Sequence, residues 1–553
     1  MTPIYLNIRG GIASFAENWH RDAVTGFLVF LFALPLCLGI AMASGFPPMA
    51  GMFGAIIGGL VVSRINGSQL TITGPAAGLA TVLFSAVGTL GQGDTRAGYR
   101  YTLAAIVLAG SLQILLGLFQ AGRIALFFPA AIAHGLLASI GVILIMSQAH
   151  VLLGAQPVFV TPWRSLLHLP DSVLHFNPVS LLIGGLGLAI LLTWPRLEKR
   201  WIGRLPAPLV VILAGIALGK GFDLDQINLY GIFETAVVAL PYDPVDIHTP
   251  AFLVPALGRL TDSLTWPDFA KVEALVFWQV VISLFLIGSL ESLLATTAVD
   301  RLDPEKRQSN LNRDITAMGI GNVLAGLIGG MPIVAEIVRS SANIRYGARS
   351  GWSNFFHGLL LLLFVSLFPQ LVRDVPLASL AALLIYVGYR LISPIAFAGT
   401  WEVGLEQRCL FAVTVAGILT THILTGIALA IGLKLVMLRW QGVSVRVQFR
   451  NLFRLAYRIN GESSGIYRIQ INGAAVFSNF AALKSELAKL PVGRKVIFDL
   501  RYARLIDHTV MAFIDQYQRD YIALGGQCEI RGLDHFESLS DHPLAARRRK
   551  RLK

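Results

Sequence analysis

The chain has 553 residues, 55% of them hydrophobic and 14% charged, with 54 glycines and a formal net charge of +13. Apolar runs of ~20 residues recur along most of its length, which excludes an ordinary soluble protein and requires a lipid bilayer. The surplus of Lys and Arg, 45 against 32 acids, reads as basic cytoplasmic loops and a basic tail and not as a nucleic-acid surface. Three scattered cysteines, Cys37, Cys409 and Cys528, supply no CxxC, disulfide framework or Cys/His metal cluster.

Residues 1–22 form a polar segment with Arg9, His20 and Arg21. The apolar run behind it leads directly into others, so it reads as a first transmembrane helix and not as a cleaved signal peptide. Spans are expected near 23–44, 49–63, 71–90, 101–121, 124–149, 178–194, 206–219, 273–297, 314–328, 332–345, 353–368, 375–391, 410–422 and 424–440, about fourteen in a transmembrane domain covering 23–440. An even number puts both ends on one side. Arg64, Arg123, the clusters at 196–204 and 301–313, and Arg345, Arg349, Arg390, Arg408 and Arg439 then share that side, while the loop near 220–270 carries seven acids. The positive-inside rule makes both termini cytoplasmic, and an inner (plasma) membrane is the location expected.

After Arg439 the composition changes. Residues 441–463 read as a linker and 464–540 as a soluble α/β unit. In that unit 465–477 alternates like a strand pair. Residues 478–489 form an amphipathic helix capped by Ser478 or Asn479, and 495–501 a buried strand. Residues 508–526 form a helix closed by Gly525 and Gly526, and 527–533 a further strand. The stretch 541–553, ending RRRKRLK, reads as a solvated basic tail that anionic lipid headgroups also suit.

Two short spans share one design. QLTITGPAAGLATV (69–82) and MPIVAEIVRSSAN (331–343) each begin with polar residues and a proline and continue as a helix. They are the third and tenth spans, seven apart, as a seven-plus-seven inverted repeat with two facing half-helices predicts. Each helix N-terminus offers unpaired N–H groups and about half a positive charge, which suits an anion. The hydroxyls of Thr71 and Thr73 and the guanidinium of Arg339 add donors. The plainer alternative for Gly-Pro-Ala-Ala-Gly is close helix packing through small residues. Glu291, inside the eighth span, suits a coupling site that binds H⁺ or a cation. Glu336 lies three residues before Arg339 and either neutralises it or restricts which anions enter. No Ser-His-Asp order, Walker loop or HExxH helix is present, so neither enzyme chemistry nor a cofactor is indicated.

SNLNRDITAMGIGNVLAGLIGGMPIVAEIVRSSAN (309–343) resembles the signature of the SulP sulfate-permease family, which includes the animal anion exchangers. LTITGPAAG (70–78) is similar to the family's third-span motif, FALPLCLGIAMASGFPP (32–48) to its first span, and DLRYARLIDHTVMAFI (499–514) to a STAS domain. The resemblance implies an α-helical polytopic membrane protein, core and gate domains in a seven-plus-seven repeat, a small cytoplasmic STAS domain, and a homodimer. It places substrate against Thr73, Gly74, Pro75 and Ala76, against Glu336, Ile337 and Arg339, and against Leu36 and Ile40 on the first span. A coupling ion falls to Glu291, with Thr296 nearby and Na⁺ as one option. The family's Ser-Phe-Ser-Arg is here Glu336-Ile337-Val338-Arg339, so hydroxyls are lost and a carboxylate gained. Ala295 stands where a sodium-coupled member has Thr. Asp507-His508-Thr509 replaces the Asp-Ser of phosphorylation-switched STAS domains, and a plain helix cap is the simpler reading.

The function expected is secondary transport of an inorganic anion by an elevator-type movement. One guanidinium beside one carboxylate leaves little net positive charge for a dianion, so bicarbonate is preferred over sulfate. Coupling to H⁺ or Na⁺, a sulfate or dicarboxylate symporter, an exchanger or uncoupled channel, and a membrane-anchored scaffold with a cytoplasmic STAS partner remain as alternatives.

Overall fold

A computed structural model describes residues 12–120, 129–155, 162–197, 206–222, 253, 260–392, 401–441, 443, 455–461 and 465–550, apart from 373, 422, 481–482, 484–485, 488–489 and 492. These residues divide into two compact units, one within 9–122 and 140–391, the other within 123–139 and 392–553.

The first unit opens with α1 (Ile12–Ala43) and α2 (Pro48–Ile65), the latter starting on a proline whose missing N–H is no loss at a helix start. The chain then turns into a short strand, β1 (Ile72–Pro75), followed by the half-helix α3 (Ala77–Gly91). Helix α4 (Thr95–Leu118) is capped by Asp94, whose carboxylate accepts from the Ala97 N–H at 2.9 Å. Helix α5 (Ala130–Leu152), which belongs to this unit from residue 140 on, is followed by α6 (Pro162–Leu174), α7 (Pro178–Leu197), α8 (Ala207–Gly221), α9 (Leu275–Leu302) and α10 (Leu311–Ile328). The second broken element is strand β2 (Ile333–Glu336) with half-helix α11 (Ile337–Arg345), after which come α12 (Trp352–Leu367) and α13 (Leu377–Ile392). Helices α4 and α10 pack at backbone distance. A Cβ on Gly319 would lie 2.6 Å from the Gly110 carbonyl oxygen, which is why both positions are glycine.

Every one of the expected spans carries a helix or a strand-plus-helix. Six described helices are long and apolar enough to cross a membrane, and four apolar ones are shorter. Two differences stand out. Helix α1 begins at Ile12, ahead of the expected start. Helix α6 was not anticipated. Its sequence PWRSLLHLPDSVL is too polar and short for a crossing, and it bends 117° from the helix behind it. His150 of α5 fastens it, with Nδ1 2.7 Å from the Ser172 hydroxyl and Nε2 3.0 Å from the Ser165 carbonyl. Most of the acidic loop near 220–270 lies outside the described residues.

The second unit contains α14 (Leu405–Thr420), α15 (Ile423–Trp440) and a mixed sheet of β3 (Ala456–Gly461), β4 (Ile466–Ala475), β5 (Lys495–Asp499), β6 (Ala503–Ile506), β7 (Gln527–Arg531), β8 (Phe536–Ser538) and β9 (Arg547–Arg549), with α16 (His508–Ala523). The strand order is β7-β5-β4-β6-β9-β8, with β3 also on β4. β5 and β6 run parallel to β4, and β3 antiparallel. This α/β arrangement is consistent with a STAS domain. The alternation at 465–477 is one long strand and not a pair, because β3, inside the expected linker, supplies the partner. Arg547–Arg549, expected in a solvated tail, pair with β8, and Arg548 bonds Glu537 across the strands. Of the helix expected over 478–489, residues 483, 486 and 487 are helical and several others lie outside the described set.

In the same unit α15 meets the sheet. Leu438 and Val443 pack with Ala474, Val476, Phe477 and Leu505. Lys434, 1% exposed, pairs with Glu406 of α14 and sits 5.9 Å from the Phe477 ring. Asp507 caps α16. Its Oδ1 accepts from the Val510 N–H at 3.0 Å and its Oδ2 from the Phe477 N–H at 2.6 Å. Asp507→Ala removes the cap and strands the buried Phe477 N–H, so it should destabilise the full chain by about 1–3 kcal/mol. A lowered midpoint of thermal unfolding in detergent checks this.

Candidate functional site

β1 and β2 pair antiparallel in the register Ile72↔Glu336, Thr73↔Ala335, Gly74↔Val334 and Pro75↔Ile333. The two broken elements therefore meet, and each carries its half-helix away from the shared pair. Backbone at membrane depth must find its hydrogen bonds inside the protein, and the remaining groups do so through side chains of neighbouring helices. The Ile333 N–H donates to Asn322 Oδ1 of α10 at 2.5 Å, and Asn322 Nδ2 donates to Gln113 of α4 at 2.7 Å. The Ala335 N–H donates to the Ser292 hydroxyl of α9 at 3.1 Å, the Ile72 N–H to the Ser340 hydroxyl at 2.9 Å, and the Ala76 N–H to the Pro332 carbonyl at 3.1 Å. Asn343 of α11 donates to the Leu70 carbonyl at 3.0 Å. Thr73 is fully buried, and its hydroxyl accepts from Asn354 of α12 at 2.9 Å.

Arg339 points into this junction and is 1% exposed. Its Nη1 donates to Cys37 Sγ of α1 at 3.4 Å, and its Nε and Nη2 have no hydrogen-bond partner. A Cβ on Gly74 would lie 2.4 Å from that Nη1. Gly74 is thus the opening through which the guanidinium lies against β1. Gly78 does the same for Glu291, whose Oε2 would be 2.5 Å from a Cβ there. The carboxyl of Glu291 thus lies against the head of α3. Glu291 Oε2 and Glu336 Oε1 are both buried without a partner. The centre is therefore one guanidinium with Nε and Nη2 unpartnered, two carboxyls and a helix start, enclosed by α1, α9, α11 and α12.

Of the residues singled out from sequence, Thr73, Gly74, Pro75, Ala76, Glu336, Arg339 and Glu291 lie at or beside this junction. Leu36 and Ile40 are buried, at 3% and 2% exposure, on either side of Cys37. Ile337 packs instead with an apolar cluster that includes Ile57, Val62, Ala295 and Ile333. Thr296 does not join Glu291, because its hydroxyl donates to Asp314 of α10 at 2.6 Å. Glu336 does not neutralise Arg339 by direct contact. The i, i+3 spacing permits that contact, but Glu336 Oε1 and Arg339 Nε and Nη2 are all without a hydrogen-bond partner. Sequence reasoning missed Cys37, Gln113, Asn322, Asn354 and His357. His357 Nδ1 lies 3.3 Å from Asn354 Oδ1, and its Nε2 is unpartnered. The available signal was a set of amide and imidazole side chains inside apolar spans.

The sulfate permease family model matches residues 20–414. The chain belongs to that family. It is a membrane transporter of inorganic anions and not an enzyme. YvdB of Bacillus subtilis (strain 168), which bears a sulfate-transporter name, is 25% identical over 474 residues, 85% of this chain and 83% of that one. The bicarbonate transporter BicA of Synechocystis sp. is 26% identical over 378 residues, 68% of this chain and 62% of that one. The solved structure of SLC26A9 matches the fold with a TM-score of 0.67 at 13% identity, covering 93% of this chain and 84% of that one.

Gly74→Ala should displace the Arg339 guanidinium and lower apparent anion affinity by about ten- to a hundredfold, the loss of one charge-assisted hydrogen bond. The apparent KM in reconstituted vesicles, beside an unchanged unfolding midpoint, measures it.

Proposed function

We propose that this protein is a secondary transporter of bicarbonate in an inner (plasma) membrane, driven by the H⁺ gradient, with both termini cytoplasmic and two chains per assembly. The observation that carries the reading is Arg339, buried with two N–H groups unpartnered where two half-helices meet. A buried guanidinium costs at least ~2.5 kcal/mol and needs a counter-charge, and neither nearby carboxyl bonds to it directly. An anion between the half-helices supplies that charge and takes up the free donors.

Charge balance narrows the substrate. One guanidinium against two ionised carboxylates gives a net −1, so an added anion is unfavourable until protons arrive. With both carboxyls neutral the centre is +1, which suits a monoanion and leaves a dianion half-compensated. The likeness to bicarbonate-transporting BicA points the same way, while YvdB keeps sulfate as the competing reading. H⁺ is favoured over Na⁺ because the hydroxyl of Thr296 is committed to Asp314 and is not offered to an ion at Glu291. An elevator movement suits a site whose two half-helices share one strand pair, since the pair travels as a unit.

Radiolabelled bicarbonate should accumulate in proteoliposomes under an inward H⁺ gradient. Sulfate uptake that bicarbonate does not compete overturns the substrate assignment. Glu291→Gln should abolish gradient-driven accumulation while the unfolding midpoint is kept, and undiminished accumulation removes Glu291 from coupling. Arg339→Ala should abolish transport altogether, a loss that a pure scaffold would not show.

A further inference from the structure

Cys37 lies on α1 between Leu36 and Ile40, fully buried, and its sulfur meets the guanidinium of Arg339, whose Nη1 donates to Sγ at 3.4 Å. Two glycines make this contact a fixed one. A Cβ on Gly51 of α2 would come within 2.1 Å of the Cys37 carbonyl oxygen, so α2 packs directly against the backbone that carries the thiol. A Cβ on Gly74 of β1 would lie 2.4 Å from Nη1 and 3.5 Å from Cζ, so the same corner of the guanidinium is pressed against the strand. Nη1 is thereby held between β1 and α1.

A guanidinium is flat and rigid, so holding one corner orients the whole group. Nη1 lies to one side of the Nε–Cζ bond. The Nε–H and one Nη2–H lie on the other side, next to each other and nearly parallel. In Arg339 neither of these two nitrogens has a hydrogen-bond partner, although the residue is only 1% exposed. Two parallel N–H groups are half of a bidentate pair, and the other half is two oxygens on one atom, as at the edge of a carboxylate. A single-atom anion cannot accept both bonds along their axes. The thiol suits the position because sulfur is a weak, uncharged acceptor. It steadies Nη1 and leaves the positive charge uncancelled, whereas a carboxylate at 37 would pair with the guanidinium and close it to a solute.

We propose that Cys37 is a positioning residue: by holding Nη1 it presents the Nε/Nη2 edge of Arg339 to the solute, and that edge selects monoanions with two oxygens on one carbon. The inference rests on the bicarbonate reading above and deepens it, since bicarbonate offers such an edge. It adds a requirement of shape to the requirement of charge.

Formate and chloride test shape at constant charge, because both are monoanions at neutral pH. The measurement is the inhibition constant of each against radiolabelled bicarbonate exchange in proteoliposomes. In the wild type formate should inhibit about tenfold or more tightly than chloride, the worth of one additional charge-assisted hydrogen bond. Cys37→Ala leaves the guanidinium free to turn, so the preference should fall to near one or below. Cys37→Ser, whose shorter bond sets its oxygen farther from Nη1, should give a preference between the two, and it serves if the alanine variant fails to fold. A purely structural role for Cys37 raises both constants by the same factor and keeps the wild-type preference, and that result overturns the proposal. So does a wild-type protein that binds chloride as tightly as formate. A wild-type protein that exchanges no bicarbonate overturns the functional reading and this inference with it, whereas the other two failures leave that reading standing.

Discussion

A chain that abandons helix geometry inside a bilayer must still bond every backbone N–H and C=O, and this requirement organises the first unit. At 72–75 and 333–336 the protein meets it by pairing two strands with each other. What the pair leaves over goes to Asn322, Ser292, Ser340 and Asn343, each projecting from a flanking helix. Gln113 steadies Asn322 in turn. None of these polar side chains is affordable on a lipid-facing surface, so the helices that carry them are fixed in place around the pair. The position of Arg339 follows, because it lies in the first turn of its helix, three residues after the strand ends.

Electrostatics in the centre is set by number as much as by geometry. Two carboxyls and one guanidinium lie around the strand pair and the head of α3. Glycine at 74 and 78 is what permits this crowding. Each marks a place where a methyl group would occupy the position of a charged side-chain atom.

The sequence was informative where chemistry is local. Gly-Pro before a small-residue helix, Gly-Gly-Met-Pro before a polar one, and their separation by seven spans were enough to expect two facing half-helices. Arg339 and Glu291 announced themselves as charges in apolar runs. Side-chain direction was not legible. The i, i+3 rule offered Arg339 as the partner of Glu336, but no hydrogen bond joins them, and Glu336 Oε1 and Arg339 Nε and Nη2 are left without one. Thr296 failed similarly, since its partner Asp314 belongs to the next helix. Asn322, Gln113 and Asn354 look unremarkable as single amides, and they matter only once the strand pair needs donors and acceptors. In the second unit, alternation at 466–475 was read correctly as extended chain, but the identity of its partners required the β3 segment and the basic β9 segment, both of which composition had assigned elsewhere.

The strand pair has one mechanical implication. Residues 72–75 and 333–336 are laced together, so the two stubs of helix behind them cannot part without tearing a ladder in a medium that offers no replacement bonds. No cleft can open along that seam. Under the function proposed above, a solute held there is admitted and let go by displacement of the walls opposite, with the laced pair behaving as a single stiff plate.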